Sequence, residues 1–259
     1  MKYLKFLVLL QGLMFSLQSG ITSKEGVIPS YEPRSGIMRA FLPFNANILI
    51  VGENVADLGL SIALQSECCN VFCCTSSEKE LARLRTNQEE LSNLYSWFGF
   101  LHNRELPSCS YFETKPNMQL YNEGVYQGNY VVSGSILPPI DSSLPFLFGR
   151  KSFVPTFRLS QLCKAYDLKK IHMFHLDCGG NELKVIQDNF GLINDSIVVF
   201  TKTYHKPIRK NITKFESLNC LMNNLDFVLL THHIFDDLQG EALYVKRKYF
   251  NAVFKSKEI

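Results

Sequence analysis

The sequence predicts an α/β domain with a mostly parallel sheet, helices on both faces and an antiparallel closing hairpin. Three observations predict it. Short apolar runs alternate with helical patterns from Asn45 onward, the order that gives parallel pairing with both sheet faces covered. One run, Ile171 to Leu176, delivers an aspartate, Asp177, to its tip, followed by Gly179, Gly180 and a helical pattern opening with Glu182. Two final runs, Asp226–Thr231 and Glu241–Arg247, are joined through residues 236–240 and read as a hairpin.

In chain order, Ile48–Val51 reads as a strand, Val55–Gln65 as a helix and Asn70–Thr75 as a second strand. Ser77 then caps a helix rich in Glu, Leu and Arg that runs to about Tyr95. Residues 100–155 are less regular, with strands suggested at Ser110–Phe112 and Asn129–Val132. Order resumes with a helix at about Phe157–Tyr166, the strand ending on Asp177 and a helix at about Asn181–Asn189. A strand at Ser196–Thr201 and a helix at about Lys214–Asn224 precede the hairpin. Residues 46–259 form one domain.

The N-terminus has a different character. Lys2 and Lys5 precede an apolar stretch from Phe6 to Leu17, then Ser19 and Gly20, the form of a secretory leader over residues 1–20. A buried N-terminal helix is the alternative. The stretch is shorter than the roughly 20 residues that span a bilayer, so a secreted or extracytoplasmic location is expected, with the cytoplasm as alternative. Residues 21–45, with Pro29, Pro33 and Pro43, read as a linker.

Charge excludes some partners. The chain carries +3, and is closer to neutral once the leader lysines are set aside. No electrostatic footprint for nucleic acid is present. Cys68, Cys69, Cys73 and Cys74 bunch without paired CxxC spacing or a nearby histidine, which favours buried thiols over zinc. His172 and His175 fall on opposite sides of a strand, as do His232 and His233. No metal site is expected.

Gly52 follows the first strand, where a glycine lets backbone come close to a nucleotide at a helix N-terminus. A carboxylate such as Asp177 at a strand's C-terminal tip stands where open α/β sheets bind ligands. It is also a common helix cap, and Glu182 a first-turn acid favoured by the helix dipole.

Taken together, these parts resemble the FkbM family of S-adenosylmethionine-dependent methyltransferases over about residues 45–250. Gly52, Asn54 and Asp57 match its first motif, and Leu84 with Asn87 the end of its second helix. Leu176, Asp177, Gly180 and Glu182 match its later Leu-Asp-x-x-Gly-x-Glu motif. Ser133–Pro139, Val154–Leu159 and Leu225–Val245 are similar to its remaining segments. The resemblance implies a Rossmann-like class I methyltransferase fold, S-adenosylmethionine as cofactor, and O-methyl transfer to a small-molecule or glycan hydroxyl. It implies Gly52, Asn54, Asp57 and Thr75 at the cofactor, with Asp177 and Glu182 as catalytic residues.

The sequence also departs from the pattern. Ile50 stands where the first motif opens with an acid, and Ala56 where it has a second glycine. Thr75 takes the place of the ribose-binding acid, Gly179 that of a Glu or Gln, and Lys202 that of the acid ending the next strand. A threonine hydroxyl is a poorer partner for a ribose diol than a carboxylate. A degenerate methyltransferase-fold protein acting as a secreted binding module is the alternative reading.

Overall fold

The structure, a computed structural model, describes residues 40–52, 55–102, 106–116, 134–140, 146–235 and 238–255. The leader, Asn54, the suggested strand at 129–132 and residues 236–237 lie outside them.

The chain opens as the apolar pattern requires: strand β1 (Asn47–Val51), helix α1 (Val55–Gln65) and strand β2 (Asn70–Thr75). Helix α2 (Glu78–Gln88) starts at Ser77, whose side chain accepts from the Glu80 N–H, satisfying one of the free amides of a first helical turn. The helix ends seven residues before Tyr95, and Leu94–Phe98 forms strand β3 instead. The reason is tertiary. Asn93 donates to the carbonyls of Ala63, Ser66 and Cys69, which turns the chain so that an aromatic-rich segment pairs in parallel with β2.

A smaller sheet follows, made of β4 (Phe100–Leu101), β5 (Leu106–Pro116), β6 (Gly134–Ser135) and β7 (Phe146–Phe157). Strand β7 was not legible in the sequence pattern. Helix α3 (Leu159–Ala165) leads to strand β8 (Met173–Leu176), whose next residue is Asp177. Helices α4 (Glu182–Asp188) and α5 (Phe190–Asn194), strand β9 (Val198–Tyr204) and helix α6 (Phe215–Asn224) come next. Strands β10 (Phe227–Ile234) and β11 (Gln239–Lys246) form the closing hairpin, and helix α7 (Arg247–Lys255), absent from the sequence reading, ends the described chain.

The main sheet has the order β10-β11-β9-β8-β1-β2-β3. All its pairings are parallel except those of β11, which runs antiparallel to both β9 and β10. Counting only strands of this sheet, the order is 3-2-1-4-5-7-6 with the seventh reversed. That order defines the Rossmann-like class I methyltransferase fold, and it places the topological switch point between β1 and β8.

Each face of the sheet buries a separate core. Ile48, Ile50, Cys73 and Val198 pack under α1, α2 and α7. Leu49, Phe72, Phe174 and Val199 pack under helices α3 to α6 and the small sheet. Cys69, Cys73 and Cys74 are buried, and all eight cysteines are free thiols. Among the described residues, no helix is long and apolar enough to cross a membrane.

Candidate functional site at the C-terminal edge of the sheet

Register builds the site. Val51 pairs with both Cys74 and Leu176, and Leu176 pairs with Thr201. The residues one step further on, Thr75, Gly52, Asp177 and Lys202, therefore stand in one transverse row. Lys202 pairs with Glu241, and Glu241 with His233, so the row continues across the hairpin. Because side chains alternate along strands, the row shares the sheet face covered by α1.

Gly52 holds φ +154°, and a Cβ there would lie 3.0 Å from the Asp177 Cβ and 3.1 Å from its carbonyl oxygen. The position requires glycine both sterically and conformationally. The Asp177 N–H donates to the Val51 carbonyl at 2.9 Å, which fixes the aspartate at the strand tip. Its Oδ2 lies 3.4 Å from the Lys202 ammonium, and among the described residues Oδ1 has no partner.

Lys202 is 13% exposed. Burial by itself would lower its ammonium, but Asp177, Glu241 and Glu182 outweigh burial and hold it above the ordinary lysine value. His175, also on this face, has its Nε2 3.8 Å from Glu241, and its buried Nδ1 has no partner among the described residues.

The resemblance-implied residues divide between the row and its surroundings. Gly52, Thr75 and Asp177 are brought together. Thr75 is buried and its hydroxyl accepts from the Ser77 N–H at 3.1 Å, leaving one O–H to donate elsewhere. Asp57 is directed away: its carboxylate is ion-paired with Arg83 of α2. Arg83 also bonds Glu80, whose other oxygen accepts from the Ala56 N–H at 3.0 Å. The first turn of α1 is thus capped from inside the protein.

Glu182 stands under the loop after β8. It is fully buried, and its Oε1 accepts from the Cys178 N–H at 2.8 Å and the Gly180 N–H at 3.2 Å. Its Oε2 is buried without a partner among the described residues. Burial, then the charge of Asp177, push its carboxyl up to about 8.

Sequence reasoning noticed Lys202 only as a departure from a pattern and His175 only as one of two histidines on opposite sides of a strand, and it missed Glu241 and Glu80. No local signal marks these two, because cross-strand register brings Glu241 to the row and helix packing brings Glu80 to α1; His175 stands one layer below the row, paired with Ile50 and Phe200.

The remaining histidines are engaged separately. His172 Nδ1 accepts from the Asn47 N–H at 3.0 Å, and His232 bonds Thr203 and stacks on Phe215. Burial, then His205 and His233, lower the His232 imidazole. Among the described residues no cluster of three His, Cys, Asp or Glu could hold a metal.

No protein-family model matches the sequence, and no curated protein matches it either. Solved structures of similar fold include a SAM-dependent methyltransferase from Aquifex aeolicus, at 7% identity and a TM-score of 0.42, covering 83% of this chain and 89% of that one. The N-terminal domain of EvdMO1 with SAH bound gives 9% identity and 0.45, covering 83% and 79%. M. capricolum TrmK in complex with S-adenosyl-homocysteine gives 9% and 0.39, covering 78% of this chain. The chain spans 62% of the length of that TrmK structure. At these identities and scores the likenesses carry no functional weight, and the fold is defined by the strand order itself.

Proposed function

We propose that the chain binds an S-adenosyl cofactor and transfers its methyl group to a hydroxyl oxygen, in the manner of the FkbM family. The observation that carries this reading is the juxtaposition of Gly52 and Asp177 at the tips of adjacent central strands, at the switch point where open α/β sheets take nucleotide ligands.

The cofactor would supply an electrophilic methyl group. This chain's residues would do the rest by positioning. Gly52 lets the backbone approach the ligand, and Thr75 stands level with it on the next strand to meet the ribose with one hydroxyl. Asp177, with Oδ1 unengaged, would receive the proton released from the acceptor hydroxyl.

Calorimetric titration with S-adenosylhomocysteine tests the reading. Saturable heat at up to millimolar ligand is expected, abolished in Gly52→Asp, whose side chain would collide with Asp177 and add a like charge beside it. No heat from the unaltered chain would remove the proposal.

A second reading has its own observation. Thr75 supplies a hydroxyl, already engaged by Ser77, where a ribose diol is best met by a carboxylate. A fold that has lost turnover and acts as an exported binding module would look like this. Thr75→Glu separates the two. Gaining one charge-assisted pair contributes about 1.5–3 kcal/mol, tenfold or more in affinity. If cofactor binding emerges only in that variant, the degenerate reading holds; tight binding by the unaltered chain excludes it. Export is tested by N-terminal sequencing of protein from its native source, where a start near Gly20 or Ile21 is expected.

A further inference from the structure

The two edge strands of the main sheet are finished differently. At the β3 edge, the Val71 N–H bonds the Asn93 carbonyl and the Gly99 N–H bonds the Thr75 carbonyl, so the odd-numbered residues of β3 face β2. Leu94 and Ser96 turn their backbone outward. Both outward carbonyls are occupied: the Gln88 side chain donates to Leu94 at 3.0 Å and the Tyr166 hydroxyl to Ser96 at 3.4 Å.

The β10 edge has no such cover. The Phe235 N–H donates to the Gln239 carbonyl, and antiparallel pairs alternate between bonded and non-bonded. Thr231 and His233 therefore face Leu243 and Glu241 across the hairpin, while His232 and Ile234 turn their N–H and C=O groups away from it. Among the described residues these outward groups have no partner. Phe227–Phe235 contains no Asp, Glu, Lys, Arg or Pro, the residues that blunt a strand edge. A bulge at Leu230 interrupts the register, so the regular stretch runs from Thr231 to Phe235. It ends in Ile234 and Phe235, which are 56% and 46% exposed.

We infer that β10 pairs antiparallel with β10 of a second copy of this chain, about a twofold axis at His233. The outward groups set the register. With His233 of each copy on the axis, His232 of one stands opposite Ile234 of the other. The two residues exchange both bonds, and every outward group of the stretch is paired. A two-residue slip would instead set Ile234 against the bulged Leu230. A second copy is the fitting partner because the stretch is its own complement: it is uncharged throughout, and its outward residues flank one residue that can sit on the axis. Such a contact is isologous and closes at a dimer. It is independent of what the C-terminal edge of the sheet binds.

Sedimentation velocity of the full chain over a range of concentrations, joined to residue-resolved hydrogen exchange, tests the pairing. A concentration-dependent dimer is expected, in which the His232 and Ile234 amides exchange as slowly as those of Thr231 and His233. Ile234→Pro removes an outward N–H and leaves the β11 ladder intact. It deletes a symmetric pair of bonds and should weaken the dimer about tenfold or more, whereas Ile234→Val should keep it. Slow exchange at Thr231 and His233 shows that the hairpin of the variant is folded.

A chain that stays monomeric overturns the inference, whether its β10 edge remains bare or takes a strand of another protein, and that result needs no variant. A dimer whose His232 and Ile234 amides exchange freely overturns it too, because the contact then lies elsewhere. So does a dimer that a folded Ile234→Pro variant forms as tightly as the unaltered chain.

Discussion

Glu182→Gln is expected to flatten the pH dependence of stability on the alkaline side of neutrality. Glu182 is fully buried, with two backbone N–H groups on Oε1 and none on Oε2. Its carboxyl is raised to about 8, by burial first and then by Asp177. The folded chain thus keeps a proton that the unfolded chain releases near 4.5. The sign follows from linkage: this contribution is complete below pH 4.5 and drains away as pH rises to about 8. Over the whole span the loss is on the order of 5 kcal/mol.

His232 acts in the opposite direction. Its lowered imidazole favours the neutral form, so stability is lost as pH falls below the unfolded histidine value of about 6.5. Between pH 6.5 and 8, Glu182 therefore dominates, and about 2 kcal/mol of stability should disappear. Glutamine keeps the oxygen that accepts both N–H groups and has no proton to lose. Urea unfolding at pH 6.5, 7.2 and 8 should show a falling midpoint for the unaltered chain and a nearly level one for Glu182→Gln. Equal slopes would mean that the carboxyl is not held neutral.

Gly179→Ala is the second large effect. Gly179 sits at φ +59°, and a Cβ there would run into the Gly134 carbonyl oxygen and stand 2.7 Å from the Ser135 Cβ. The left-handed conformation alone costs roughly 1–2 kcal/mol for a non-glycine residue. The neighbour cannot withdraw cheaply. Strand β6 is buried, paired to β5 through Phe112 and Ser135. The segment after it is tied by the buried Arg209, which donates to the Leu137 carbonyl at 3.1 Å. Overpacking of this kind adds roughly 1–3 kcal/mol, for a total of about 3 kcal/mol.

Chemical denaturation measures the loss, and hydrogen exchange at residues 134–140 should quicken. Gly191→Ala is the control, because a Cβ there would meet nothing within 4 Å. A cost below about 1 kcal/mol at Gly179, inside the αL penalty alone, would show that the small sheet does not press on the loop.

What the sequence disclosed follows from which forces are local. β1, α1 and β2 were legible because strands buried on both faces read as apolar runs, and because the Val55–Gln65 helix has a buried stripe of Val55, Leu58, Ile62 and Ala63. Asp177 was legible because an apolar run ending on an acid and two glycines has few other readings. Strand β3 was lost to the helix before it: propensity favoured continuation, and three carbonyls gathered by Asn93 decided otherwise. The Asp177–Lys202 pair joins residues 25 apart in the chain through the β8–β9 register. Likewise Glu182 reads as an ordinary first-turn acid, and only packing shows it sealed under the loop it holds.

The central claim is that the row formed by Thr75, Gly52, Asp177 and Lys202 is an S-adenosyl ligand site. Its most direct test is a crystal structure of the chain grown with S-adenosylhomocysteine. The ligand is predicted against the Gly52 backbone, with its ribose toward Thr75 and its sulfur on the Asp177–Lys202 side of the sheet edge. A ligand bound elsewhere, or a row that stays free of ligand at saturating concentration, would contradict the claim.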